Sequence, residues 1–218
     1  MRRLLLGLLM LAALGLVWDA LPFSATADSM PEASSGTNAN LTTATFAGGC
    51  FWCMEKPFDA VDGVVSTTSG YTGGTQADPT YSQVSAGGTG HVEAVEIVYD
   101  SAVVDYDDLL QVFWRNVDPV DGSGQFCDKG SQYLSKIFVH DDGQRQLAEA
   151  SLQALSSEER FRDPPVVTAI ETAQTFYPAE DYHQDYYLNH PVRYNFYRTA
   201  CGRDRRLAEV WGASAASH

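Results

Sequence analysis

The run Gly48-Gly49-Cys50-Phe51-Trp52-Cys53 stands between a β-like stretch and a helix-like one, and this joint constrains the fold more than any other feature of the chain. Two glycines at a strand-to-helix joint let the backbone turn sharply. A cysteine just past such a turn sits where the N–H groups and positive dipole end of a helix stabilise a thiolate. Cys50 is therefore expected to be a nucleophile with a lowered pKa. Phe51 and Trp52 cannot both turn into the core beside it, so at least one is expected to line a pocket for something small and apolar. A reactive sulfur beside an aromatic wall points to sulfur or acyl chemistry.

Strand and helix signals alternate along the rest of the body. Residues 42–47 are β-branched and aromatic, 50–60 look helical and stop near Asp62-Gly63, and 64–71 return to strand character. Residues 91–99 alternate as a half-buried strand would. A helix follows over 106–116, with Leu109, Leu110, Phe113 and Trp114 at helical spacing before Pro119. A strand at 135–140, a helix at 144–155, a strand at 166–176 and a helix at 180–188 complete the series. The pattern predicts an α/β or α+β sandwich in a single catalytic domain, without an internal repeat. Two long glycine-rich loops, 71–90 and 118–132, interrupt it, and loops of that length usually carry function. They hold or flank Tyr81, Glu93, Cys127, Asp128 and Tyr133.

Met1-Arg2-Arg3, the apolar run from Leu4 to Trp18 and the small-residue site Ala25-Thr26-Ala27 have the organisation of a secretory signal over residues 1–27. The run is too short for the roughly 20 residues of a membrane span. Export with cleavage after Ala27 is the expectation, without stable membrane insertion afterwards; an uncleaved N-terminal anchor is the alternative. Residues 28–43, rich in Ser, Thr, Asn and Ala, read as a disordered lead-in. The chain carries a net charge of −14 and loses two arginines with the leader. Nucleic acid, which needs a basic face, is not an expected partner. Four cysteines are too few for a disulfide scaffold at this length, so their chemistry matters more than their stapling.

Five motifs then occur in order: Gly48-Gly49-Cys50-Phe51-Trp52, Ser69-Gly70-Tyr71-Thr72-Gly73-Gly74, Asp78-Pro79-Thr80-Tyr81, Gly90-His91-Val92-Glu93-Ala94-Val95 and Asp128-Lys129-Gly130-Ser131-Gln132-Tyr133. Together they closely resemble the A-type peptide methionine sulfoxide reductases, from about Thr43 to Trp211. The resemblance implies a two-layer α/β plait with a ferredoxin-like core over 44–212, long functional loops and a C-terminal tail at 213–218. It implies reduction of the S epimer of methionine sulfoxide, free or in proteins, by a monomer with no metal and no bound organic cofactor. A thioredoxin-like protein would supply the dithiol. Cys50 would attack the sulfoxide sulfur, with a protonated Glu93 as general acid. Tyr81 and Tyr133 would hydrogen-bond the oxygen, Phe51 and Trp52 would wall the S-methyl group, and Asp128 would hold the substrate's main chain. Cys50 would leave as a sulfenic acid, which a second thiol converts to a disulfide.

Cys53 and Cys127 stand where many relatives have other residues, so three thiols compete to resolve that sulfenic acid. Cys201 ranks first, in what looks like a flexible, glycine-bearing tail at the family's usual resolving position. Cys53 ranks second, because a CxxC disulfide closes at a helix start with little rearrangement; Cys127 is third. His183 is read as structural. Two other classes compete: an exported CxxC thiol-disulfide oxidoreductase, and a zinc-binding module built from Cys50, Cys53, Cys127 and His91.

Overall fold

The computed structural model describes residues 40–212, so the proposed signal peptide, most of the lead-in and the tail lie outside the described residues. The chain runs β1 (Leu41–Gly48), α1 (Phe51–Asp59), β2 (Val64–Thr72), a short α2 (Tyr81–Ser85), β3 (Val92–Asp100) and α3 (Tyr106–Arg115). A hairpin of β4 (Gly124–Gln125) and β5 (Asp128–Lys129) precedes β6 (Ser135–Val139), α4 (Asp142–Ser157), β7 (Ala169–Thr172) and β8 (Tyr177–Pro178). Three helices close the chain: α5 (Tyr186–Asn189), α6 (Pro191–Ala200) and α7 (Arg203–Trp211).

The main sheet has the order β7-β6-β1-β3-β2-β8. Its four central strands, β6-β1-β3-β2, pair antiparallel, which is the plait order that the sequence resemblance implies. The β7 edge adds a parallel neighbour to β6, and β8 adds an antiparallel one to β2. Strand parity decides what each side of β3 does. Val95, Ile97 and Tyr99 point into the main core with α1 and α3, whereas Val92 and Ala94 join Ala47 and Phe138 in a smaller cluster. Glu93 shares the parity of the first set, so its carboxyl is carried beneath α1. Phe46 of β1 anchors the main core, stacked 5.3 Å from Phe58 of α1 and 5.1 Å from Phe113 of α3. These contacts fix α1, and with it the cysteine motif, against the sheet.

Several boundaries differ from the sequence reading. β1 begins at Leu41, so Leu41 to Thr43 pair with β3 and do not belong to the lead-in. The strand expected over 166–176 shrinks to Ala169–Thr172. The helix expected over 180–188 is a 3-10 turn at Asp181–His183, an extended Gln184 and the short α5, interrupted by a left-handed Asp185 (φ 51°). Gln184 explains the break: its side chain bonds the Ser69 N–H and carbonyl on β2, which requires an extended backbone there. The flexible tail expected around Cys201 is instead the tight joint between α6 and α7, where Gly202 adopts φ 71°. Among the described residues no helix is long and apolar enough to cross a membrane.

Candidate active site

Cys50 is the N-cap residue of α1, and both preceding glycines are required by space. A Cβ on Gly48 would lie 2.5 Å from the Met54 sulfur, and one on Gly49, at φ 81°, would lie 2.5 Å from the Gln125 side chain. The turn is therefore packed shut on both sides. It leaves Cys50 at 7 % exposure at the floor of a cleft of about 90 Å³, lined by Cys50, Phe51, Trp52, Tyr81, Glu93, Asp128, Tyr133 and Tyr197. Seven of these eight are the residues singled out from sequence, and both long loops converge on the turn as expected. Drug-sized ligands occupy roughly 300 Å³ or more, so this cleft takes the tip of a substrate.

Glu93 accepts a hydrogen bond from the Phe51 N–H at 3.1 Å and is almost wholly buried. Burial raises its pKa to about 8, against a smaller opposing effect of that hydrogen bond. Near neutral pH the carboxyl is mostly protonated and carries a proton into the cleft. The same donor answers the expectation for Cys50. The first N–H of α1 is spent on Glu93, and burial, followed by the neighbouring Cys53, Glu93 and Asp128, pushes the Cys50 thiol well above its usual range. The Cys53 thiol moves the other way, down to about 7, with its neighbour Cys50 the largest influence and Arg203 and Arg198 adding to it against the effect of burial. At Cys50, burial outweighs the lowering expected from its place at the helix start.

The walls are held from outside the cleft. Trp52 stacks on Tyr186 with ring centroids 3.6 Å apart and donates its indole N–H to His183 Nδ1 at 3.0 Å. His183 is structural, as read; burial lowers its pKa and keeps the neutral ring that can accept this bond. Glu180 accepts from the Tyr81 N–H at 2.9 Å and from the Tyr71 hydroxyl at 3.0 Å, fixing the loop that brings Tyr81 in. Tyr81 is raised to about 12 by burial and Glu93, and Tyr133 is raised for the same reasons, so both phenols remain donors. Sequence reasoning missed Tyr197, whose hydroxyl donates to Asp128, because no element was expected over α6. It also missed Glu180 and the buried Arg203.

Cys201 is bonded to Cys127 in a disulfide that spans 74 residues, and the two free cysteines are Cys50 and Cys53. The first-ranked resolving thiol therefore has another partner. The disulfide joins the β4–β5 hairpin, which carries Asp128, to the end of α6, one turn beyond Tyr197. His91 does not join the thiols: Gly74 N–H donates to its Nδ1, and its Nε2 meets the Gln76 carbonyl at 2.7 Å. Among the described residues the only cluster of metal-ligating type is Cys127, Asp128 and Cys201, two of which are spent in the disulfide.

A buried cysteine pair at a strand-to-helix turn, a protonated carboxyl and two phenolic donors in an α/β plait define a thiol-dependent oxidoreductase. Comparison with known proteins specifies which. The family model for peptide methionine sulfoxide reductase matches residues 42–215. A Listeria innocua protein named peptide methionine sulfoxide reductase MsrA is 51 % identical over 175 residues, covering 80 % of this chain and 98 % of the relative. A Bacillus subtilis protein of the same name is 51 % identical over 170 residues, covering 78 % and 96 %. The fold matches Mxr1 of Saccharomyces cerevisiae in reduced form (TM-score 0.64, 31 % identity, 71 % of this chain and 88 % of that one). It also matches methionine sulfoxide reductase A of Corynebacterium diphtheriae (TM-score 0.62, 31 % identity, 71 % and 77 %). The chain belongs to the peptide methionine sulfoxide reductase family.

Proposed function

We propose that this protein reduces the S epimer of methionine sulfoxide, free or within oxidised proteins, in the cleft over Cys50. The observation that carries the reading is Glu93: a buried carboxyl that keeps its proton near neutral pH, in the same small cleft as a thiol and a Trp wall. The S-methyl group packs against Phe51 and Trp52, the sulfoxide oxygen accepts from Tyr81 and Tyr133, and Asp128 receives the substrate's main chain. The Cys50 sulfur attacks the sulfoxide sulfur while its proton passes to the Cys53 thiolate and Glu93 protonates the oxygen. Oxygen transfers to Cys50 as a sulfenic acid, the substrate sulfur gains two electrons, and methionine departs. Cys53, with a pKa about 7, ionises again and attacks the sulfenic sulfur, forming the Cys50–Cys53 disulfide and releasing water.

Cys53 takes the resolving role here because it neighbours Cys50 while Cys201 is bonded to Cys127. An external dithiol protein of thioredoxin type then supplies two electrons; no cofactor is needed for that exchange. Residues 1–27 are proposed to direct export, and N-terminal sequencing of the secreted form should begin at Asp28. One assay tests the activity: reduced protein given each epimer of methionine sulfoxide with dithiothreitol, then insulin. Turnover of the S epimer that is lost in Cys50→Ser, without insulin reduction, is the expected result. Insulin reduction without sulfoxide turnover would return the chain to the CxxC oxidoreductase class.

A further inference from the structure

Arg203 is a cation in an unusual place. It is 1 % exposed, and among the described residues no carboxylate lies within ion-pair distance of it. Its Nη2 reaches the Asn116 carbonyl at 2.6 Å, the Met54 sulfur at 2.9 Å and the Gly48 carbonyl at 3.3 Å. Its Nε has no partner at all. The guanidinium lies over the Phe126 ring, 4.4 Å from its centroid. A guanidinium cannot shed its proton, and burying it without an anion costs several kcal/mol. Carbonyl, sulfur and ring contacts offset part of that cost; an anion close by is the missing element.

The contacts show where the anion belongs. Gly48 and Met54 bracket the motif Cys50-Phe51-Trp52-Cys53, one before it and one after it, so Arg203 grips both ends of the cysteine turn. Met54, whose sulfur Arg203 touches, directly follows Cys53; burial lowers the Arg203 pKa, and of the ionisable neighbours Cys53 opposes that most. We propose that Arg203 is a positioning residue whose buried guanidinium is the counter-cation of the Cys53 thiolate. It holds the negative charge of the cysteine pair on the resolving sulfur and fixes the turn that presents both sulfurs. The Cys127–Cys201 disulfide, two residues before Arg203 and one after Phe126, clamps both of its flanks. This role deepens the proposed reaction and gains its meaning from it, but its test needs no substrate.

The groups that face Cys53 are Cys50, Arg203, Arg198, Asp128, Tyr194, Tyr197 and Glu93. Arg198 is already paired with Asp204 at 2.6 Å, which leaves Arg203 as the unpaired cation. The test uses the full mature chain carrying Cys50→Ser, whose hydroxyl keeps a donor toward Cys53. With the second disulfide intact, Cys53 is then the one free thiol, and its ionisation is read from thiolate ultraviolet absorbance against pH. The expected inflection lies near 7 and moves up by ~1 unit or more when Arg203→Met is added. Arg203→Lys, which keeps the charge, should restore most of the shift. Arg203→Gln serves as a second neutral variant that retains donors for the Gly48 and Asn116 carbonyls, with circular dichroism verifying the fold. An inflection unmoved in the folded neutral variant, or moved equally far by Arg203→Lys, would overturn the assignment. A shifted inflection here, together with a wild-type protein that fails to reduce the sulfoxide, would leave Arg203 standing and defeat the reaction instead.

Discussion

Replacing Glu93 by glutamine removes one proton from the cleft and little else. The amide oxygen still accepts from the Phe51 N–H, now 3.1 Å from the carboxylate oxygen, so the turn keeps its anchor. With a pKa about 8, the wild-type carboxyl is about nine-tenths protonated at pH 7. A positioned general acid contributes roughly 10²–10⁴ in rate, equivalent to about 3–5 kcal/mol of barrier. Glu93→Gln should therefore slow single-turnover methionine formation by that factor at pH 7 with little change in KM, because the loss falls on the transition state. The wild-type profile should decline tenfold per unit above pH 8, and the variant should lack that limb. Stability moves the other way. The folded pKa lies above the unfolded value near 4.5, so between about pH 4.5 and 8 the folded state binds more protons and the carboxyl's contribution to stability falls as pH rises. The variant should unfold at higher denaturant than wild type at pH 8 and show less pH dependence. An unchanged single-turnover rate, or a surviving alkaline limb, would remove Glu93 from the chemistry.

Two further outcomes follow from the hydrogen bonds and the disulfide. Tyr197→Phe deletes the donor to Asp128 and should lower kcat/KM roughly tenfold, mostly through KM, in steady-state assays with a peptide substrate. Cys201→Ser should leave recycling by a dithiol protein intact, because Cys53 resolves Cys50; it should cost about 2–4 kcal/mol in chemical unfolding by opening a 74-residue loop. Loss of recycling in that variant would return the resolving role to Cys201.

The sequence carried the central sheet and nearly all of the cleft for reasons visible in particular residues. The alternation from Val92 to Tyr99 set β3; the motif resemblance, not that alternation, singled out Glu93, which the structure carries to the core side with Val95 and Ile97. Gly48 and Gly49 marked a joint that the packing of Met54 and Gln125 shows to be closed to any side chain. The C-terminal third was illegible for equally physical reasons. Helix α6 exposes Val192 and Phe196, and so shows no polar face opposite an apolar one, while the strongly charged α7 is held by Leu207, Val210 and the buried Arg203. Nothing in the sequence singled out Arg203; its burial depends on carbonyls of Gly48 and Asn116, 155 and 87 residues away. The lowering expected at Cys50 rested on helix position alone, without the burial of that thiol or the Glu93 carboxyl that takes the first N–H.

Trapping with dimedone tests the chemistry most directly. In a Cys53→Ser variant with the Cys127–Cys201 disulfide intact, one equivalent of methionine S-sulfoxide should yield one methionine and a single dimedone adduct on Cys50, located by peptide mass spectrometry. Methionine formed without that adduct, or an adduct on any other residue, would contradict oxygen transfer to Cys50.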